Sequence, residues 1–302
     1  MQVVGILTAY PSTPPGWTVV DRRTAGHFTT AITYRHPDGR LVEWSSRRHR
    51  KHASRLSRVA GRDRVLWAPH RASWWIAVLF MLGSCCFVVA PLPAYLSRVG
   101  GRADAATFFV GSLLFTTAAF LQWLQTINAD PVRPGAGRAF TWEPRRIDWW
   151  SSGVQLLGTL FFNVTTFRAL GTPVDSGSYD RLVWRPDAFG SVCFLVSGYL
   201  AYVAVAGGLL RRPPGTLGGA VVSVNLFGCV AFGVSAVSGY VLPATGAVLD
   251  LTWTNAATTT GALAFLVGAA LLLPEGSGRR TSGPGSPIHP EGSDGRARRH
   301  LP

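Results

Sequence analysis

The side chains best placed to do chemistry in this 302-residue chain are uncharged amides. Gln122, Gln125, Gln155, Asn163, Asn225 and Asn255 all fall inside long apolar stretches. There each amide carries donors and an acceptor that must find partners or water. Two outcomes follow from that requirement. Either the amides bond to one another across helices, for about 0.6 kcal/mol each in a bilayer, or they line a polar cavity for a neutral or weakly charged solute. Gln155, Thr159, Asn163 and Thr166 recur at helical spacing and so form one stripe.

Other chemistry has less to stand on. Asp148 and Asp187 lie only at the ends of apolar stretches, which leaves no deep proton carrier. No G-x-S-x-G, H-E-x-x-H or phosphate-cradling glycine loop occurs in the sequence. Cys85, Cys86, Cys193 and Cys229 sit inside apolar stretches without metal-type spacing and read as small packing residues. The seven histidines all lie outside those stretches, so a pair of intramembrane haem ligands is not at hand. The expectation is therefore a protein that is not an enzyme and holds no cofactor and no metal.

The elements that must position the amides are themselves unusual. Hydrophobic residues make up 47% of the chain and charged ones only 15%, and the imbalance is concentrated in segments. Six stretches, near 74–95, 106–127, 149–167, 188–210, 217–241 and 252–273, lack charge in their interiors. Each is about the 20 residues that a helix needs to cross a hydrocarbon core of about 30 Å. They are apolar on nearly every face, unlike the one-sided helices of soluble cores. The predicted fold class is an all-α integral membrane protein, a six-helix transmembrane bundle over 73–274 with a small cytoplasmic N-terminal α+β module.

Orientation follows from arginine. With the stretches alternating in direction, one side receives 24 of the 29 Lys+Arg, and the other only Arg98, Arg102, Arg168, Arg181 and Arg185. The positive-inside rule then places both termini in the cytoplasm, with the first span inserting uncleaved in the plasma membrane. The net charge of +14 is explained by topology and is no argument for nucleic acid. Residues 1–72 form the basic module. Within it "FTTAITYRHPDGRLVEWSS" predicts a β-hairpin about a Pro-Asp-Gly turn, with Phe28, Ile32 and Tyr34 on one face. "SSRRHRKHASRLSRVAG" predicts a basic helix whose Arg47, Arg48, Arg50 and Lys51 meet anionic lipid headgroups at the cytoplasmic face. Residues 275–302 are expected to be a disordered basic tail.

One word recurs in every stretch: "GSCCF", "GSLLF", "GTLFF", "GSVCF", "GCVAF" and "GALAF", beginning at Gly83, Gly111, Gly158, Gly190, Gly228 and Gly261. Glycine and phenylalanine four apart share a helix face, and a small residue seven after each glycine joins them: Ala90, Ala118, Thr165, Ser197, Ser235 and Gly268. Helix association in lipid depends on close approach at small residues, so the word predicts a packing face in every span, and such faces also leave room for a homo-oligomer. Two groupings compete. Spans 1 and 4, and spans 3 and 6, align as inverted three-span halves. Spans 1 and 3 share WW-x7-G-[ST]-x-x-F from Trp74 and Trp149, as in a repeated two-span hairpin.

"RIDWWSSGVQLLGTLFFNVTTF", "LVWRPDAFGSVCFLVSGYLAY" and "GVSAVSGYVLPATG" resemble a family of bacterial multi-span membrane proteins with YrhK-like segments. The resemblance spans roughly 70–275 and implies six-span architecture without an activity. The functional expectation is a non-enzymatic scaffold, accessory or sensor protein of the cell envelope. The alternative is a transporter or channel working through a polar cavity between spans.

Overall fold

The computed structural model describes residues 13, 15–45, 67–69, 71–129, 139–172, 178–242 and 245–277. The basic segment with Arg47, Arg48, Arg50 and Lys51, and the tail beyond Ser277, lie outside them.

The N-terminal part is a three-stranded antiparallel sheet in the order β1 (Thr18–Ala25), β2 (Phe28–Arg35), β3 (Leu41–Ser45). The Pro-Asp-Gly turn is present. Gly39 supplies the positive φ of 87° that closes it, and His36 and Arg40 bond across its base. The ladder pairs Ile32 with Trp44, and these two bury one face with Tyr34 and Trp17. β1 is an addition to the expected hairpin. It has little apolar alternation, is exposed along nearly all its length, and is shifted in register on either side of Asp21–Arg23. Such charged, irregular edges resist further strand pairing, and the same features hide the strand from a pattern search.

Among the described residues seven α-helices follow: α1 (Ala72–Val89), α2 (Pro93–Val99), α3 (Gly101–Ile127), α4 (Ile147–Ala169), α5 (Arg185–Ala206), which a π-helical turn over Asp180–Trp184 leads into, α6 (Leu217–Ser238) and α7 (Leu251–Ser277). Five segments among the described residues are long and apolar enough to cross a membrane: α1, α3, Asp180–Ala206, α6 and Leu251–Pro274. α4 matches them in length at 23 residues but carries the polar stripe, which lowers its apolarity. The first apolar run does not continue as one helix to Tyr95. It ends at Val89, and Pro91 and Pro93 divide it from the short α2, since proline at an interior position removes a hydrogen bond and clashes with the preceding turn. α5 stops at Gly207, whose φ of 71° closes it four residues before the arginine pair.

The six long helices form a ring. Each packs against the next in chain order, and α7 closes on α1. The shared core is built around phenylalanine, with Phe80, Phe87, Phe115, Phe162, Phe194 and Phe232 all buried. One end of the ring carries the start of α1, the end of α3, the start of α4 and the end of α5. The sheet stands on that end, where Ala25 and Phe28 pack against Ile147, Leu200 and Val203. Phe28 therefore leaves the face it was expected to share with Ile32 and Tyr34 and serves the bundle instead.

Candidate functional site

The recurrent word keeps one orientation in all six long helices. Its glycine and the next residue are buried, the third position faces outward, and the residue seven after the glycine is buried in every copy. Within each hairpin the two glycines face each other. A Cβ on Gly83 would meet the Phe115 ring at 2.7 Å and the Gly111 carbonyl at 3.0 Å. One on Gly111 would meet Cys86 Cβ at 2.7 Å and the Phe87 ring at 3.0 Å. α6 and α7 repeat the arrangement, Gly228 against Phe265 and Gly261 against Phe232. In α4 and α5 the fit is less tight: a Cβ on Gly158 would meet Cys193 Cβ at 3.0 Å and the Gly190 carbonyl at 3.2 Å, and one on Gly190 would meet the Gly158 carbonyl at 3.2 Å. Distances below 3.0 Å admit no side chain without movement, so glycine is what lets α1 approach α3 and α6 approach α7.

The phenylalanines of the six words converge on the ring axis. Phe87, Phe115, Phe162, Phe194, Phe232 and Phe265 line one void, with Ser112 and Thr159. Each ring contacts at least two others at 5.0–6.1 Å between centroids. Several pairs cross the axis, such as Phe87 with Phe232 and Phe194 with Phe265. The space left for a water-sized sphere is about 10 Å³, at the lower limit for one water molecule. At this level the axis is closed by aromatic rings.

The amides do not gather into one cavity lining, and none of them borders that void. Gln122 Nε2 donates to Gln155 Oε1 at 2.7 Å, joining α3 to α4. Asn225 lies so close to Gly268 that a Cβ there would come within the Asn225 amide's own volume. Gln125 Nε2 and Asn163 Oδ1 are buried without a hydrogen-bond partner. Asn255 is half-buried on the first turns of α7. Hydroxyls make more of the bonds between helices. Ser112 and Thr166 meet at 2.8 Å, Ser151 and Ser197 exchange bonds with each other's carbonyls at 3.1 and 2.8 Å, and Ser235 meets Thr258 at 2.6 Å. Hydroxyls bonded back to their own helix tolerate close packing, whereas an amide needs room.

A second site lies at the sheet end. Arg146 is 1% exposed, although a guanidinium keeps its charge in proteins. Its Nε and Nη2 donate to the two carboxylate oxygens of Asp148 at 2.7 and 2.8 Å, Nη1 donates to Glu143 Oε2 at 2.7 Å, and Nη2 also reaches the Thr126 carbonyl at 2.6 Å. The guanidinium thus caps the end of α3 while pairing with two acids, the bidentate geometry for which arginine is suited. Burial pushes the Glu143 carboxyl above its ordinary value, and the Arg146 charge opposes that shift. The sheet is hydrogen-bonded to this same segment: Thr29 N donates to the Arg145 carbonyl at 2.8 Å, and Thr29 bridges Arg146 in parallel fashion. β-sheet, loop 139–146 and α3 therefore meet at one buried ion cluster.

In the sequence the acids of this cluster are hidden by lying in or beside an apparently ordinary basic loop. A signal was present. Residues 67–75 and 142–150 share W-x-P-x-R-x-x-W-W, which sets Arg71 against Arg146. Both copies fold alike. Trp75 Nε1 donates to the Pro69 carbonyl and Trp150 Nε1 to the Pro144 carbonyl, each at 2.9 Å, and Trp67–Trp74 and Trp142–Trp149 each stand edge-on at 5.1 Å. Amphipathic indoles concentrated at one end of a bundle are what a membrane interface favours. Among the described residues no group of three His, Cys, Asp or Glu is placed to hold a metal. Compared with protein-family models, curated proteins and solved structures, the chain matches none.

Proposed function

We propose that this chain is a six-span membrane protein whose role is structural or sensory, a scaffold or accessory protein of the bacterial envelope with its N-terminal sheet reporting on the cytoplasmic side. The observation that carries the reading is the closed axis: six phenylalanines, one from each long helix, fill the place where a transporter keeps a solute site. The six-span count takes α4 as a sixth crossing. It is long enough, and it stands in the ring between α3 and α5, both apolar enough to span. Its polar side is turned inward, with Gln155, Thr159 and Thr166 bonded to α3 or to its own backbone. The likeness of the two tryptophan entrances, and of the three glycine-paired hairpins, supports a two-span hairpin as the repeated unit. Arg146 and its acids support a role for the sheet as more than an appendage, because it is seated on the ring by backbone hydrogen bonds and an apolar contact.

The test is solute flux through vesicles carrying the full chain, with a panel of ions, sugars and amino acids. The scaffold reading expects no flux above empty vesicles from the wild type, and Gln155→Leu to change nothing. Saturable uptake of any solute by the wild type, lost in Gln155→Leu, would replace it with the transporter reading.

A further inference from the structure

Arg145 and Arg146 are neighbours in sequence with opposite surroundings. Arg146 turns inward, where Asp148 and Glu143 answer its charge. Arg145 is exposed, and among the described residues its guanidinium has no hydrogen-bond or ion-pair partner. Its backbone is nevertheless fixed from two directions. Arg146 N donates to the Glu143 carbonyl at 3.0 Å and so closes the turn, while the Arg145 carbonyl accepts from Thr29 N at 2.8 Å. The other outward residues of this loop are large and aromatic. Phe140 and Trp142 are each 66% exposed, and Trp142 Nε1 also donates to nothing among the described residues. By contrast Trp149 and Trp150, which stand edge-on to Trp142 at 5.1 and 6.5 Å, donate their N–H groups to the Thr141 and Pro144 carbonyls. Trp149 lies on the first turn of α4, so Trp142 stands at the level where that helix begins. The other copy of the tryptophan motif exposes its outer member alike, Trp67 at 63%, just ahead of α1.

Exposed aromatic surface of this extent marks a contact with something other than water. A headgroup layer accommodates the ring and the N–H of an indole together, and a guanidinium at the same level is suited to phosphate. We propose that loop 139–146 is a binding site for the phosphate of an anionic phospholipid, with Arg145 pairing to it, Trp142 Nε1 donating to it and Phe140 seated at the acyl boundary. Burial pushes Glu143 toward its neutral form, so the acids behind the turn do not cancel the outward charge of Arg145. The bound lipid steadies the sheet as well, because the peptide that carries Arg145 is the one that holds Thr29. The inference rests on the six-span reading and gives its sensor module a partner, the charged surface of the bilayer.

The experiment is hydrogen exchange of the full chain in nanodiscs of phosphatidylcholine, with and without phosphatidylglycerol, followed over residues 139–146 and over β2. The wild type is expected to exchange about fivefold more slowly in the charged discs, the effect of one arginine at an anionic surface. Arg145→Gln should abolish that difference while keeping the wild-type rate in phosphatidylcholine alone. Arg102→Gln, at the other end of the ring, should leave the difference intact. Inorganic phosphate added to uncharged discs should slow nothing, since only a lipid engages the indole and phenyl groups as well. Equal rates in both discs, or a charge effect that survives Arg145→Gln, overturns the site, and protection by phosphate alone overturns the lipid as its source. The six-span reading fails separately, on reporters placed either side of α4.

Discussion

The Arg146 guanidinium holds the Asp148 carboxylate in a two-point grip, 2.7 and 2.8 Å, at a place where the arginine side chain is almost wholly out of contact with solvent. Its third and fourth bonds tie in Glu143 and the last turn of α3. Pairs of this kind add little net stability when complete, yet removing one partner leaves a buried charge unanswered.

Arg146→Met should therefore destabilise the chain by about 3–5 kcal/mol, because two acids lose their counter-charge at once. Thermal unfolding in detergent measures the loss. Limited proteolysis should show the sheet released from the ring before the helices separate. A variant as stable as the wild type, with its sheet still protected, contradicts the role assigned to this cluster.

Glu143 gives a dependence on pH. Burial raises its carboxyl above the ordinary range despite Arg146, so the folded chain tolerates the protonated form better than the unfolded chain does. The stability this contributes is complete below the unfolded glutamate pKa and is lost as pH rises through the raised folded value. The thermal midpoint of the wild type should accordingly include a component that falls from the ordinary glutamate range upward. Glu143→Gln should flatten that component, and superimposable pH profiles for the two proteins would count against it.

Gly261→Leu should overfill the contact with Phe232, where even a Cβ would stand at 2.6 Å, at a cost of about 1–3 kcal/mol or a failure to accumulate. Leu113→Ile, on the outward position of the α3 word, should change stability by less than about 0.5 kcal/mol. Expression and detergent melting of the two variants give the comparison. Equal losses at both positions would remove the packing role of the word.

Gln122 and Gln155 offer a test by double-mutant cycle. Each single change to leucine strands the partner amide, while the double change removes both, so the double variant should be less damaged than the sum of the singles. The coupling expected for a hydrogen bond between membrane helices is about 0.6 kcal/mol. Strict additivity would mean that the two amides do not depend on each other.

Much of this architecture is legible in the residues because lipid and backbone impose long, apolar helices. The six glycine-phenylalanine words mark faces whose register is the same in every long helix. What the words do not reveal is that their phenylalanines meet on one axis, since that depends on the ring closing from α7 to α1, which no local pattern encodes. The amides show the opposite failure. Their helical stripe suggests a shared cavity, but Gln155 is taken by Gln122, and Asn225 sits against Gly268 on another side of the ring. β1 and the Arg146 cluster escaped for a related reason: an edge strand of charged residues and a buried arginine both look like solvent-exposed chain until their neighbours are known.

The proposed closed axis requires the chain to cross the membrane six times with α4 as one of the spans. Reporter fusions at Gly135 and Gly177, on either side of α4, test it most directly, with a fusion after Pro302 as reference. The expected result is a cytoplasmic reporter at Gly135, an external one at Gly177 and a cytoplasmic one at Pro302. Reporters at Gly135 and Gly177 on the same side would show that α4 does not cross, and would contradict the six-span ring.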